Sequence, residues 1–351
     1  MSSGGAKRTG TLIIAPNWLG DLVMTTPLLD VLRRTDGLGI HVLVRDLWRP
    51  LLEHDPRIDS LTTYERNGCH AGISGALRLA GLVRAGHYEE AYVLPPSFRA
   101  AAVAALAGIP RRVGWTGEGR RALLTDPVIR GPRGHRHLCA EIVDLCTSQP
   151  LVADTGALPS LPAADRWPAD RRLTAGRPHV ALAVGATYGD AKSWPPALAA
   201  RFARACAGTG RRVLVLGDAA ARGHAEELGR HLEGGWISSD DDGAGVVDLV
   251  GSTRMLEVGA LLRDVDLFVG NDSGLMHLAA ALGTPTLGLF GSTNPDWTSP
   301  RGLRTAVLRA VGFSCSPCHL RECPQPEFCL DSIKPEAVLE AAEQLIGGGK
   351  P

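Results

Sequence analysis

Short apolar stretches alternate with helix-length segments along this chain, and the alternation runs twice. "TLIIAP" (11–16), "IHVLVR" (40–45), "YEEAYVLP" (88–95) and "RRVGWTG" (111–117) have the length and β-branched content of buried strands. Between them the spacing of apolar residues predicts helices near 24–34, 74–86 and 97–108. The pattern then lapses: residues 149–178 are rich in proline and lack periodicity, which marks a connection between domains. It resumes with strands "HVALAVGAT" (179–187), "RRVLVLGD" (211–218), "DLFVG" (266–270) and "TPTLGLFG", separated by predicted helices at 195–208, 219–232, 255–262 and 274–282. A last helix is predicted over 334–346, with proline in its first turn. Alternation of this kind requires crossover connections and therefore parallel sheets covered by helices on both faces. The fold class is α/β, with two doubly wound domains.

The bulk numbers agree. A chain of 351 residues exceeds what one core usually organises, since single cores stop growing near ~250–300 residues. With 44% hydrophobic and 21% charged residues it reads as globular, and no apolar run approaches the ~18 residues of a membrane helix. "MSSGGAKRTGTLIIAPNW" lacks a small-residue cleavage site, so a secretory signal is not expected; the chain is expected to be cytoplasmic. Zero formal net charge gives no nucleic-acid footprint. Nearly all positive charge is arginine. Lysine occurs only at 7, 192, 334 and 350, so Lys192 is the one lysine set well inside the chain.

In doubly wound sheets, ligands bind beyond the carboxyl ends of the strands. Three polar loops fall there: "APNWLGD" (15–21), "GATYGDAKSWP" (185–195) and "GNDSGLMH" (270–277). The third runs from strand into helix, so its backbone N–H groups lack intrahelical partners and carry the positive end of the helix dipole. Such a terminus suits a phosphate, although Asp272 or Ser273 could equally be an ordinary N-cap. Lys192 and Thr187 could add a compact cation and a hydroxyl to the same anion. Neither half carries G-x-G-x-x-G after its first strand, which argues against a nicotinamide enzyme.

These residues also carry a resemblance. "APNWLGDLVMTTPLL", "YVLPPSFRAA" with "AGIPRRVGWTGEGR", "GATYGDAKSWP", "NDSGLMHLAAALGTPTLGLFGSTNPDWTSP" and "CSPCHLRECP" stand in one order over about 15–330. Together they resemble the bacterial ADP-heptose:lipopolysaccharide heptosyltransferases of glycosyltransferase family 9, nearest the heptosyltransferase II branch. The resemblance implies a GT-B fold: Rossmann-like domains at 1–165 (acceptor) and 166–333 (nucleotide sugar) facing a cleft, and a terminal helix within 334–351 crossing back to the first domain. It implies an inverting, metal-independent transfer without cofactor, from an ADP-heptose donor to an anionic glycolipid acceptor at the inner membrane surface.

By the same resemblance Asp21 would be the base that takes the acceptor proton, although it could instead cap the first helix. Lys192 would meet the diphosphate leaving group, with Thr187, Asp272, Ser273, Gly274 and His277 completing the donor site. Asp272, an anion beside phosphates, would orient the loop or bond a sugar hydroxyl. His277 could contact phosphate or pack on the sheet. Asp218, Glu226 and Glu227 are the ribose candidates, and Arg99, Arg120 and Arg121 the candidates for an anionic acceptor. Transfer of another activated sugar, or transfer to a natural-product acceptor, stays open beside this reading, as does a non-catalytic nucleotide-sugar binder.

The cysteines fall into two groups. Cys69, Cys139, Cys146 and Cys206 are scattered and expected to be buried thiols. Cys315, Cys318, Cys323 and Cys329 form C-x2-C-x4-C-x5-C, which could hold a structural zinc or iron–sulfur centre, pair locally, or remain free.

Overall fold

A computed structural model describes residues 10–35, 39–146, 158–162, 164–167, 178–241 and 243–347. The chain divides into two compact units, Met1–Ala163 and Ala164–Pro351. Most of the proline-rich connection lies outside the described residues, but each flank is tied to its own unit. Ser160 receives Arg57 through its hydroxyl (3.1 Å) and its carbonyl (2.9 Å). On the other side Arg263 donates to the carbonyl of Ala164 at 2.7 Å. The buried Trp167 ring lies where a side chain on Gly259 would have to go.

The first unit contains β1 (Thr11–Ile14), α1 (Leu19–Thr35), β2 (Ile40–Arg45), the short α2 (Arg49–Leu52), β3 (Ser60–Tyr64), α3 (Gly72–Arg84), β4 (Glu90–Val93), α4 (Phe98–Leu106), β5 (Arg111–Trp115), β6 (Asp126–Val128) and α5 (Leu138–Cys146). All six strands are parallel, in the order β3-β2-β1-β4-β5-β6. Helix α1 starts earlier than the sequence suggests, so Gly20 and Asp21 lie in its first turn rather than in the loop ahead of it. Leu12, Ile14 and Val93 of the central strands form the core with Leu79, Val83 and Ala104 from α3 and α4.

The second unit repeats the plan with β7 (His179–Ala183), α6 (Pro196–Gly208), β8 (Arg212–Leu216), α7 (Arg222–Arg230), β9 (Gly245–Asp248), α8 (Met255–Asp264), β10 (Leu267–Asn271), α9 (Gly274–Ala281), β11 (Thr286–Phe290), the short α10 (Pro295–Thr298), β12 (Thr305–Arg309) and α11 (Pro335–Gly347). Its parallel order is β12-β11-β10-β7-β8-β9. Strands β7, β8, β10 and β11 are buried on both faces, which is why they read as unbroken apolar runs. Helix α11, the helix expected to cross to the first domain, packs on α6 and on β10–β12, with Val338 and Ala342 inside this unit's core.

Both sheets have the strand order that reverses at its centre, between β1 and β4 in one and between β7 and β10 in the other. Adjacent loops leave such a point in opposite directions and open a crevice at the carboxyl edge. Of the scattered cysteines, Cys139 and Cys206 are buried as expected, but Cys69 is exposed because the β3–α3 loop that carries it lies at the surface.

Candidate functional site

In the second unit the loops after β7 and β10 meet at the switch point and are fastened to each other. The buried Asn271 accepts from the backbone N–H of Trp194 (2.8 Å) and donates to the carbonyl of Gly185 (3.1 Å). Lys192, ending a 3-10 turn over Asp190–Lys192, sends its ammonium to Asp272 Oδ2 at 3.0 Å. Asp272 is buried. Its Oδ2 also accepts from Thr298 (3.2 Å), and Oδ1 faces His277 Nε2 at 3.7 Å. Burial by itself would favour the protonated carboxyl. The His277 contact and the charge of Lys192 outweigh burial and hold Asp272 well below the usual carboxylate range.

Asp272 is therefore the counter-ion that fixes Lys192, and His277 is the buried third member one helical turn into α9. The ammonium also lies 3.5 Å from the main-chain oxygen of Asp272, at the start of α9. There Ser273 occupies the N-cap position in an extended conformation without capping the helix through its side chain. Its Oγ is buried and lacks a hydrogen-bond partner. Orphan N–H groups and an unpartnered hydroxyl at one helix terminus, beside an ammonium held in place by Asp272, form the arrangement that an anion completes.

Thr187 and Asp218 are joined at 2.9 Å, linking the ends of β7 and β8. The other Asp218 oxygen accepts from the N–H of Ala220 (3.0 Å). Glu226 and Glu227 lie exposed on α7, so of the three ribose candidates only Asp218 stands at a strand end beside Thr187.

The sequence reading missed a brace behind the lysine loop. The segment between β12 and Cys329 presses on it: the N–H of Ala191 donates to the carbonyl of Arg321 (2.9 Å), and the Tyr188 hydroxyl to that of His319 (2.9 Å). Gly189 has φ +153°, and a Cβ there would lie 2.4 Å from the Arg321 carbonyl, so the close approach requires glycine. The Tyr188 ring is met by Lys192 Nζ at 4.9 Å and Arg321 Cζ at 5.2 Å from its centroid. Cys315, Cys318, Cys323 and Cys329 line one small cavity, with Ala191 of the lysine loop on its wall. Burial and the three neighbouring thiols push the Cys329 thiol up. Among the described residues no group of three or more Cys, His, Asp or Glu could hold a metal ion.

In the first unit, the loop after β1 is held through Asn17. Its side-chain oxygen accepts from the Tyr64 hydroxyl at 2.7 Å, and its carbonyl accepts from Trp48 Nε1 (3.0 Å) and Arg45 (3.3 Å). Half-buried Asp21 follows in the first turn of α1, where the helix dipole favours its charge. The three acceptor arginines have different surroundings. Arg99 donates to the carbonyls of His70 and Gly72, tying α4 to the start of α3. Arg120 is fully buried and donates to the carbonyl of Pro95, while its Nε and Nη2 lack partners. Burial lowers its pKa, with Glu118 acting the other way. Arg121 alone of the three is exposed.

The model of glycosyltransferase family 9 (heptosyltransferase) matches residues 76–328. The chain belongs to this family. It is 29% identical over 314 residues to lipopolysaccharide heptosyltransferase 2 of Salmonella typhimurium, covering 86% of this chain and 88% of that one. The solved E. coli ADP-heptose lipopolysaccharide heptosyltransferase II superposes with a TM-score of 0.78 at 27% identity, covering 97% and 99% of the two chains. A family 9 enzyme of Veillonella parvula shares the fold, with a TM-score of 0.82 at 21% identity, over 98% and 99%. The chain is thus a glycosyltransferase with the two Rossmann-like units of the GT-B fold. Among the described residues no helix is long and apolar enough to cross a membrane.

Proposed function

We propose that this glycosyltransferase moves heptose from ADP-heptose to the inner core of lipopolysaccharide, with inversion and without a metal ion. Its place of work would be the cytoplasmic side of the inner membrane, where a nucleotide sugar and a lipid-anchored acceptor meet. The observation that carries this reading is the Lys192–Asp272–His277 cluster at the start of α9, beside the unpartnered Ser273 hydroxyl. The names of the similar proteins supply the sugar and the acceptor.

In this reading the diphosphate lies at the α9 terminus. The amides after Ser273 and Gly274 bind its oxygens, and Lys192 neutralises the charge that grows as the bond from anomeric carbon to phosphate oxygen breaks. A cation already held in place by Asp272 does not have to reorganise during the reaction. Thr187 and Asp218 suit the hydroxyl-rich part of the nucleotide. Asp21 accepts the proton of the acceptor hydroxyl as its oxygen attacks the face opposite the departing diphosphate. Arg121, the exposed one of the three, would meet an anionic acceptor. Arg99 and Arg120 act through the backbone they hold, Arg120 by fixing the β4–α4 loop at Pro95.

The donor assignment is tested by calorimetry with ADP-heptose, ADP, UDP and GDP. Tighter binding of the adenine nucleotides is expected; preference for a uridine or guanosine diphosphate would refute the donor.

A further inference from the structure

Of the seven tryptophans, Trp18 alone is exposed, at 53%; the other six are buried or half-buried. An indole left in water forgoes one of the largest apolar burials a side chain can make. The exposure is not that of a loose segment. On one side Pro16 is buried, and Asn17 is held by Tyr64, Trp48 and Arg45. On the other, the carbonyl of Trp18 accepts from the N–H of Leu22 at 2.9 Å, and Leu19 is buried at the next position. The backbone is thus fixed before and after Trp18, while its side chain meets solvent at the carboxyl end of β1, a strand of the switch point. The bond to Leu22 opens α1, which makes Trp18 its N-cap residue and Asp21 its N3 residue. Side chains at these two positions are neighbours across the first turn, about 5–6 Å apart at their Cβ atoms.

We propose that Trp18 is the platform on which the acceptor's sugar ring lies while that ring presents its hydroxyl to Asp21. The inference rests on the reading of Asp21 as the base. A hydroxyl within hydrogen-bond reach of Asp21 brings the pyranose that carries it over the neighbouring N-cap side chain. A pyranose has a face of C–H groups and a rim of hydroxyls. Its C–H face matches the electron-rich face of an indole, and its rim stays free for Asp21 and for water. Because the backbone on both sides of Trp18 is anchored, little order is lost when the ring settles, so the contact selects the sugar's orientation as well as holding it. Adenine is the other flat ring an indole could stack on. The donor-site candidates Thr187, Lys192, Asp218 and Ser273 all belong to the second unit, which leaves Trp18 to the acceptor.

The test titrates the full chain, without donor, with a delipidated inner-core oligosaccharide that bears one heptose. Acrylamide quenching of tryptophan emission reads Trp18 above all, because it is the one exposed indole. The oligosaccharide should protect the wild-type emission from acrylamide, and this protection should be missing from Trp18→Phe. By calorimetry Trp18→Ala should weaken oligosaccharide binding by about 10-fold, the size expected for losing apolar contact over part of an indole face. Trp18→Leu should behave like Trp18→Ala, and Trp18→Phe should recover most of the affinity, because the flat ring and not the bulk is what the sugar uses. ADP affinity and Tm should stay at wild type in all three. Protection of the emission by ADP in place of the oligosaccharide, or an equal loss of ADP affinity in Trp18→Ala, overturns the proposal. Oligosaccharide binding that Trp18→Ala leaves unchanged refutes the platform alone, whereas a wild-type chain that binds no inner-core oligosaccharide refutes the acceptor reading and the platform with it.

Discussion

Replacing Lys192 by alanine separates what the lysine does for stability from what it does for the reaction. The ammonium is only 15% exposed and its partner Asp272 7% exposed, so the substitution strands a buried carboxylate. Thr298 and His277 remain to satisfy it in part. A buried acceptor that loses one partner while keeping others costs about 2 kcal/mol, below the full penalty for an isolated buried charge. For a unit of this size that lowers Tm by roughly 4–8 °C. Turnover should fall further, by about 10²- to 10³-fold in kcat, because the cation acts where charge develops. The double variant Lys192→Ala/Asp272→Asn removes the stranded charge, so it should recover most of the lost Tm and none of the lost kcat. Calorimetric melting and release of ADP from ADP-heptose measure the two effects separately. If Lys192→Ala lowers Tm while kcat and the donor KM stay at wild type, the lysine serves Asp272 alone and the donor-site reasoning is refuted.

The remaining predictions concern the same residues. Asp272 holds its proton more weakly folded than unfolded, so its contribution to stability is complete above the unfolded pKa of about 3.9 and disappears as pH falls below it. Wild type should therefore lose stability below about pH 5 more steeply than Asp272→Asn, as acid titration followed by circular dichroism would show; equal slopes would remove the carboxylate from the account. Asp21→Asn should leave ADP affinity unchanged while kcat drops by about 10²-fold or more, as loss of a general base requires. Tyr64→Phe deletes the hydroxyl that holds Asn17 in the loop ahead of Asp21. It should lower kcat severalfold without altering donor KM; a change in donor KM alone would contradict a positioning role.

What could be read from the sequence follows a physical boundary. The inner strands β1, β4, β7, β8, β10 and β11 are buried throughout, and β2 is buried through its middle; all announced themselves as apolar runs. The four strands that escaped detection, β3, β6, β9 and β12, are the four sheet edges. There "SLTTY", "DPV", "GVVD" and "TAVLR" are short and partly exposed, so selection for continuous apolarity is relaxed, and β6 carries the proline that an edge tolerates. The site divides in the same way. The helix terminus at Ser273 and Gly274 is a local signal and was legible. The pairing of Lys192 with Asp272, 80 residues away, depends on two loops meeting at a switch point, and no local pattern encodes it. Nor does any pattern distinguish Arg120, fully buried, from its exposed neighbour Arg121 in an arginine-rich chain.

The central claim is transfer of heptose itself, and mass spectrometry of the acceptor tests it most directly. Incubating the protein with ADP-heptose and a delipidated inner-core oligosaccharide that already bears one heptose should add the mass of one further heptose, with release of an equal amount of ADP, and Asp21→Asn should nearly abolish the gain. An unchanged acceptor mass under conditions where ADP-heptose is bound, or a mass gain only when a uridine or guanosine diphosphate sugar is supplied, would contradict the account.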